Sequence, residues 1–565
     1  MKKVQGSPLP LGVTYKNGRA NFAMEVPKGK TCKLLLYRKG EASLLASYAF
    51  SVHIGSVWYM ALEELADEAY EYNYEIDGKI VTDPYAKAMS GKEKWLGNAV
   101  EDEKIRGIFY EDRYDWENDE KPEISQEELI AYSLHVRGFT KDPYSKVKNK
   151  GTFQGVIEKI PYLKELGINQ IQCMPVYEFE ESGIRVNYWG YGSGYYFAPK
   201  SAYSENGDGV KGLKDLVKHC HRAGIEVVLE MPFEEGIPGM LVTDCLRHYV
   251  MEYHIDGFVL NPYNVPMDSI LKDPILAKTR ILKHDDEFQN IMRRFLKGDE
   301  GMVAAVMNQT KKRNDLDGRY NCITTHTGFT LKDLVSYDGK HNEGNGENNQ
   351  DGPDYNYSWN CGAEGVTRKK AVLELRKNQT KNAWFLLMLS QGVPCMLAGD
   401  EFANSQKGNN NVYCQDNPIG WLNWRNRIKE QELYQFVKQL IELRKKYKVL
   451  HQKQELLGMD RSGCGIPDVS YHGEMAWRAP TEIASRQIGI YYSSQEEQEP
   501  ACFVAYNMHW LEHEFALPVL KKGKKWYRIA STKEGVLKNP ILLENQREIE
   551  LCEREIVVLA EGRDL

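Results

Sequence analysis

The strongest constraint on the fold is a helix pattern followed by a short apolar strand pattern, which recurs along the central part of the chain. Apolar residues from Phe153 to Leu166 recur at helical spacing, and the strand pattern INQIQCMPV follows Gly167. A second helix pattern ends at Gly224, and residues 225–229 form the next strand pattern. Helices that alternate with short strands predict a parallel sheet, and over roughly 300 residues the expected closure is a (β/α)₈ TIM barrel.

Both flanks of this central part show strand patterns without the helices. The chain of 565 residues exceeds what one core can hold, so several domains are expected. Turn sequences such as Lys-Asn-Gly and Asp-Gly separate the N-terminal strand patterns, as in a β-sandwich. We predict an N-terminal β-sandwich over residues 1–100, a charged linker over 101–128, the barrel over 129–450, and a C-terminal β-sandwich over 451–565.

Charge, hydropathy and cysteine usage exclude several classes of function. The formal net charge of −7 argues against nucleic-acid binding. The apolar stretch 383–398 is too short to cross a membrane and contains Gly392 and Pro394. The 11 cysteines show no CxxC spacing, so we expect free thiols, no metal and no cofactor. The N-terminus has no apolar run of a secretion signal, and a cytoplasmic location is the prediction.

In a barrel of parallel strands, functional residues lie at the carboxyl ends of the strands. The strand pattern GFVL ends at Leu260, and Asn261 and Pro262 follow directly. The other positions of interest follow Met174, Leu229 and Thr325.

Five longer motifs carry a resemblance to a known family. They are HVRGFT (135–140), NYWGY (187–191), FAPKSAYS (197–204), LVSYDGKHNEGNGENNQDG (334–352) and CMLAGDEFANSQKGNNNVYCQDN (395–417). In this order, over almost the whole chain, they closely resemble the isoamylase and glycogen-debranching branch of glycoside hydrolase family 13. The N-terminal part resembles a family 48 carbohydrate-binding module. The Asn-rich runs within the last two of these motifs are expected to form loops in which side-chain amides cap backbone groups.

The resemblance implies a retaining α-glycosidase with a nucleophilic aspartate after the fourth barrel strand. At that position this chain has Asn261, whose amide has no anionic oxygen to form a glycosyl ester. The arginine that orients the aspartate in the family is replaced by Val259. Deamidation of Asn261 is disfavoured because Pro262 has no N–H to attack the amide.

The other two catalytic positions of the family are also altered. The position of the acid, a glutamate, falls at or near His284, and the stabilising aspartate after His326 is replaced by Thr327. Asp285 lies close to the acid position, although a solvated helix start explains it more simply. On the third strand the family's Asp, Asn and His give way to Glu230, Glu234 and Glu235.

Two interpretations remain open at this point. The favoured one is a catalytically degenerate member, a pseudoenzyme that binds α-glucan or maltooligosaccharide, or pairs with an active debranching enzyme or a second copy of itself. Tyr188, Trp189, Tyr191 and His326 are then the candidate sugar-binding residues, although they could equally pack the loop and the core. The alternative is an active, retaining α-1,6-glucosidase that uses Glu234, Glu235 or Asp285 as substitute carboxylates.

Overall fold

The computed structural model describes residues 1–66, 68–97, 105–283, 286–463, 465–494 and 499–563. Its first eleven strands are antiparallel and form two sheets. They are β1 (Lys2–Val4), β2 (Gly12–Lys16), β3 (Arg19–Glu25), β4 (Cys32–Arg38), β5 (Ala46–Ala49), β6 (His53–Ile54), β7 (Val57–Glu63), β8 (Tyr70–Ile76), β9 (Lys79–Val81), β10 (Met89–Ser90) and β11 (Arg106–Ile108). One sheet has the order β1-β7-β3-β2 and the other β10-β11-β8-β4-β5. Side chains of both sheets, among them Phe22 and Tyr72, fill one apolar core.

The central part alternates strands and helices. Its strands are β12 (Ala131–Leu134), β13 (Gln170–Cys173), β14 (Tyr177–Phe179), β15 (Gly194–Pro199), β16 (Glu226–Glu230), β17 (Gly257–Leu260), β18 (Arg280–Lys283) and β19 (Cys395–Leu397). Its helices are α1 (Val136–Thr140), α2 (Phe153–Glu158), α3 (Ile160–Leu166), α4 (Gly209–Arg222), α5 (Gly239–Tyr253), α6 (Met267–Lys272), α7 (Glu287–Lys297), α8 (Val303–Lys311), α9 (Leu331–Leu334), α10 (Lys370–Met388), α11 (Asn426–Lys429) and α12 (Gln431–Lys446).

Local chemistry sets the ends of these helices. Gly167 ends α3 in the left-handed region with a φ of 99°, and its N–H donates to the carbonyls of Leu163 and Lys164. The Asp208 side chain begins α4 by accepting a hydrogen bond from the Lys211 N–H. The chain therefore turns back onto the sheet at the residues that the sequence pattern indicates.

Six parallel strands form one curved sheet with the order β18-β17-β16-β13-β12-β19. The segment 318–322 joins its two edges, because the Lys283 N–H donates to the Gly318 carbonyl and Asn321 forms a parallel bridge with Pro394. Apolar side chains fill the interior of the ring, among them Val228, Val259 and Leu282. A parallel barrel sheet with helices outside it is therefore observed, while the count of eight regular strands stays a prediction.

The C-terminal part is again antiparallel. Its strands are β20 (Val469–His472), β21 (Gln487–Tyr492), β22 (Cys502–Asn507), β23 (His513–Ala516), β24 (Lys525–Ser531), β25 (Gly535–Leu542), β26 (Glu548–Leu551) and β27 (Glu555–Gly562). Six of them form a sheet of order β20-β21-β22-β27-β24-β25, and β23 pairs with β26. The predicted domain boundaries stay predictions, and the first of them, between residues 100 and 101, lies outside the described residues. Within those ranges no helix is long and apolar enough to cross a membrane.

Candidate active site

A cavity of about 260 Å³ lies where the parallel strands end, and we call it the strand-end cavity. Each of the six strands contributes a residue to its wall or to its floor. From β12, β13, β16, β17, β18 and β19 these are Ser133, Gln172, Glu230, Val259, Leu282 and Cys395. Because all six strands run in the same direction, their carboxyl ends meet at this one edge of the barrel.

Asn261 lines the cavity directly after β17, but its amide is engaged in a turn. Its Oδ1 accepts a hydrogen bond from the Tyr263 N–H at 3.1 Å, and its carbonyl accepts one from the Asn264 N–H at 3.1 Å. Asn264 in turn donates from Nδ2 to the Phe233 carbonyl at 2.9 Å, which ties this loop to the one after β16. Val259 is buried in the apolar interior. The fourth strand thus presents an amide held in a turn, without a guanidinium beside it.

Glu230, the last residue of β16, is a buried carboxylate that lines the strand-end cavity. Its side chain is only 7% exposed, and Oε1 accepts a hydrogen bond from the Tyr191 hydroxyl. The His326 Nε2 lies 2.6 Å from the Tyr191 hydroxyl and 3.8 Å from Glu230 Oε1. Burial and the Glu230 carboxylate raise the pKa of Tyr191 well above its usual value, so the hydroxyl keeps its proton.

The single proton on the Tyr191 hydroxyl fixes the direction of the other hydrogen bonds. A hydroxyl donates more strongly to a carboxylate than to a neutral ring nitrogen. With the proton directed at Glu230, the Tyr191 oxygen accepts a hydrogen bond, and His326 Nε2–H is the donor within reach. Donation from Tyr191 stabilises the anionic form of Glu230. The arrangement supplies a buried carboxylate with a hydrogen-bond chain behind it.

A second carboxylate, Asp286, lines the strand-end cavity just before α7. Among the described residues that line the cavity, Glu230 and Asp286 are the two carboxylates. Two neighbours of Asp286 that the sequence singled out, His284 and Asp285, lie outside the described residues. Thr327 is exposed at the cavity wall, with its hydroxyl 3.2 Å from that of Thr325.

The structure places Glu234 and Glu235 in the loop after β16, outside the strand-end cavity. Both are exposed, and Glu234 Oε2 accepts a hydrogen bond from the Ser193 hydroxyl at 2.5 Å. The acidic residue that this stretch sends into the cavity is Glu230. Sequence reasoning named Glu230 on this strand but selected Glu234 and Glu235 as the substitute carboxylates. The alternation along EVVLE, which puts Glu226, Val228 and Glu230 on one face, was the available pattern.

The four candidate sugar-binding residues divide into two layers. Tyr191 and His326 line the strand-end cavity. Tyr188 and Trp189 lie behind His326, where Trp189 meets the His326 ring edge-to-face at 5.0 Å between centroids. Tyr188 is buried and donates its hydroxyl to the Gly420 carbonyl at 3.0 Å. Within the described ranges no three His, Cys, Asp or Glu side chains are grouped to hold a metal ion.

The sequence is similar to that of several known proteins. Residues 124–234 match the alpha amylase catalytic domain. The glycogen operon protein GlgX homolog of Haemophilus influenzae is 30% identical over 571 residues, covering 80% of this chain and 86% of that protein. Isoamylase 3, chloroplastic, of Oryza sativa subsp. japonica is 29% identical over 665 residues, covering 94% and 83%.

The fold is shared with solved structures of similar size. The pullulanase from Paenibacillus barengoltzii in complex with maltohexaose and alpha-cyclodextrin matches with a TM-score of 0.76 at 18% identity, over 98% of this chain and 95% of that one. A parallel barrel flanked by β-sheets, with carboxylates at the strand ends, is the architecture found in barrel glycoside hydrolases. The chain belongs to the alpha-amylase family, glycoside hydrolase family 13, in its branch of isoamylases and GlgX debranching proteins.

The expectation that the chain is not an enzyme is wrong. Relatives that match over 93–94% of this chain are named as isoamylases, and they point to a hydrolase. The expectation rested on three altered positions, Asn261, Thr327 and the acid position near His284. It gave substitute carboxylates less weight, whereas Glu230 and Asp286 line the strand-end cavity.

Proposed function

We propose that the protein hydrolyses the α-1,6 branch bonds of an α-glucan such as glycogen. The observation that carries the proposal is the buried Glu230 carboxylate at the strand ends, which accepts a hydrogen bond from Tyr191. The names of the relatives, isoamylase and glycogen operon protein, support this substrate class.

Glycoside hydrolysis needs one carboxyl group that protonates the leaving oxygen and a second that is anionic. Asn261 cannot take the anionic role, because an amide forms no glycosyl ester and its Oδ1 is engaged with Tyr263. Glu230 fits it, because the Tyr191 hydrogen bond favours the charged form. Asp286, the other carboxyl group of the cavity, is assigned the role of proton donor.

Sugar recognition needs hydrogen-bonding edges beside an aromatic surface, and the strand-end cavity offers both. Tyr191, Thr325 and His326 line it together with the two carboxylates. A maltooligosaccharide chain is therefore the proposed ligand. Pairing with an active debranching enzyme or with a second copy, and the cytoplasmic location, stay predictions.

The test is the release of reducing ends by purified protein from glycogen, β-limit dextrin and pullulan, against linear amylose and a buffer blank. The proposal expects turnover of the branched substrates and of pullulan, and none of linear amylose. Proton NMR of the fresh product then assigns the chemistry of Glu230. An α-anomer means attack on the sugar by Glu230, and a β-anomer means attack by a water that Glu230 activates. Rates equal to the blank on all substrates contradict the proposal.

A further inference from the structure

We propose that Cys322 and Cys395 form an oxidisable dithiol in the wall of the strand-end cavity, which closes to a disulfide when a peroxide enters. The glycosidase chemistry above uses neither thiol. The inference rests on strand register and cavity lining, and it stands independently of the proposed reaction.

The register of the barrel places the two cysteines side by side. The Asn321 N–H donates to the Val393 carbonyl at 2.9 Å, and the Cys395 N–H donates to the Asn321 carbonyl at 2.8 Å. These two bonds set Asn321 opposite Pro394 in a parallel bridge, so Cys322 comes opposite Cys395 one residue further on. Neighbouring strands lie about 4.8 Å apart. That spacing falls within the range of roughly 4.4–6.8 Å between Cα atoms that disulfides span.

Both side chains point to the same side of the sheet, into the barrel. Cys322 and Cys395 both line the strand-end cavity, and both pack with its apolar floor beside Val259. Asn321, one residue earlier, turns to the other side and donates from Nδ2 to the Gln391 carbonyl. This alternation is the one expected of successive residues in a strand, and it confirms that the two thiols share a face.

The two thiols differ in access, which gives the oxidation an order. Cys322 is partly exposed, whereas Cys395 is 5% exposed and donates to Gln172 Oε1 at 3.5 Å. The neighbouring Cys322 thiol, burial and the Glu230 carboxylate all raise the pKa of Cys395. A peroxide that enters the cavity therefore meets Cys322 first, and Cys395 is the resolving thiol.

The step balances with a peroxide as the oxidant. Cys322 loses its thiol hydrogen, takes one peroxide oxygen to become a sulfenic acid, and the second oxygen leaves as water. The Cys395 sulfur then attacks the Cys322 sulfur, an S–S bond forms, and the hydroxyl leaves as a second water. The two cysteines lose two electrons in total, and the peroxide is reduced to two waters.

The experiment treats the folded, full-length protein with hydrogen peroxide, alkylates the remaining thiols, and maps the cysteine peptides by mass spectrometry. The expected product is a cross-linked pair of peptides containing Cys322 and Cys395, lighter than the reduced pair by about 2 Da and restored by dithiothreitol. Cys322→Ser and Cys395→Ser each abolish the cross-link. Cys414→Ser is the matched control, because Cys414 is also partly exposed but does not line the cavity, and it keeps the cross-link.

The decisive result is the cross-link in the unmodified protein. The test therefore remains valid even if a variant fails to fold. Recovery of Cys322 as a sulfinic acid while Cys395 remains separately alkylated overturns the dithiol. Cross-linking of Cys322 to another cysteine of the chain overturns it too. Neither readout depends on glucan hydrolysis, so failure of the dithiol and failure of the proposed function are distinguishable.

Discussion

Two asparagines at the same edge of the barrel differ in how completely their amides are used. Asn410, in a loop on the rim, is fully buried; its side-chain amide accepts a hydrogen bond from Asn342 Nδ2 and donates to the Pro353 carbonyl, and its backbone N–H donates to Asn342 Oδ1. Asn261, in the strand-end cavity, is exposed, and its amide accepts one hydrogen bond from the Tyr263 N–H. A buried side-chain amide with all its hydrogen bonds made stabilises the fold, whereas an exposed amide with a single hydrogen bond can be replaced at little cost.

The comparison extends to the carboxylates of the two regions. We call Asn342, Asn345, Asn409, Asn410 and Asp351 the rim network. Side-chain hydrogen bonds join Asn342 to Asn410, and Asn345 to Asn409 and Asp351, and Asn342 Nδ2 donates to the Asp351 carbonyl. In the strand-end cavity, Glu230 is tied to Tyr191 while Asp286 is exposed at the start of a helix. The rim network therefore stabilises the loops, whereas the Asp286 carboxylate in the strand-end cavity is accessible to a substrate.

Apart from Glu230, the largest expected effect comes from the carboxylate assigned as proton donor, Asp286. Asp286→Asn should lower kcat on branched glucan by about 10²- to 10⁴-fold, because the amide cannot transfer a proton to the leaving oxygen. Maltooligosaccharide affinity should change little. Glu287→Gln is the matched control, since Glu287 is the next residue and does not line the cavity. Equal losses in the two variants would remove Asp286 from the reaction.

In the rim network, Asn410→Ala should destabilise the fold by about 2–3 kcal/mol. The substitution removes the Asn410 side chain as hydrogen-bond partner of two buried groups, Asn342 Nδ2 and Asn356 Oδ1. Urea unfolding measures the effect. Gln350→Ala, at an exposed residue of the segment that carries Asn342, should stay within about 0.5 kcal/mol of the unmodified protein. A neutral Asn410→Ala would show that the network does not stabilise the rim.

A pH-dependent effect is expected at Asp400, on the rim after β19. Burial raises the pKa of Asp400 to about 7, although its oxygens accept from Thr324 and the Leu331 N–H. The folded state then holds this proton up to about pH 7, whereas the unfolded chain releases it near pH 4. The contribution of Asp400 to stability is thus fully present below about pH 4 and is lost as pH rises to 7.

Asp400→Asn isolates this contribution. As the pH rises from 4 to 7, the unfolding free energy of the unmodified protein should fall by a few kcal/mol relative to that of the variant. Urea unfolding across this range measures it. A difference that is constant with pH would mean that Asp400 titrates normally in the folded protein.

The smallest expected effect is at Asn261, although it occupies the nucleophile position of the family. Asn261→Ala should change kcat by no more than about threefold, because its amide supplies no group to the reaction and loses one exposed hydrogen bond. Asn261→Asp should likewise bring no gain above about tenfold, because Val259 leaves the new carboxylate without a guanidinium. A hundredfold change in either variant would make Asn261 part of the chemistry.

Much of the fold was predictable because it depends on local patterns. The helix that ends at Gly167 and the strand that ends at Leu260 both follow from spacing along the chain. The Asn-rich loops cap backbone groups as predicted, for example from Asn342 Nδ2 to the Asp351 carbonyl.

The candidate site was harder to predict, because it depends on which side chains meet in space. The Tyr191 hydroxyl reaches Glu230 across 39 positions of sequence, and His326 approaches from a further loop. No spacing rule joins those three residues. The substitution at Asn261 drew attention to the fourth strand, whereas the buried carboxylate lies on the third.

The most direct test of the account is the hydrolysis rate of Glu230→Gln beside that of Glu234→Gln, on β-limit dextrin. The two glutamates are four residues apart, and only Glu230 lines the strand-end cavity. Glu230→Gln should lower turnover on the order of 10³-fold or more while keeping the unfolding midpoint. Glu234→Gln should retain the rate within about threefold. Full activity in Glu230→Gln, or an unmodified protein no faster than the buffer blank, would contradict a hydrolytic site built on Glu230.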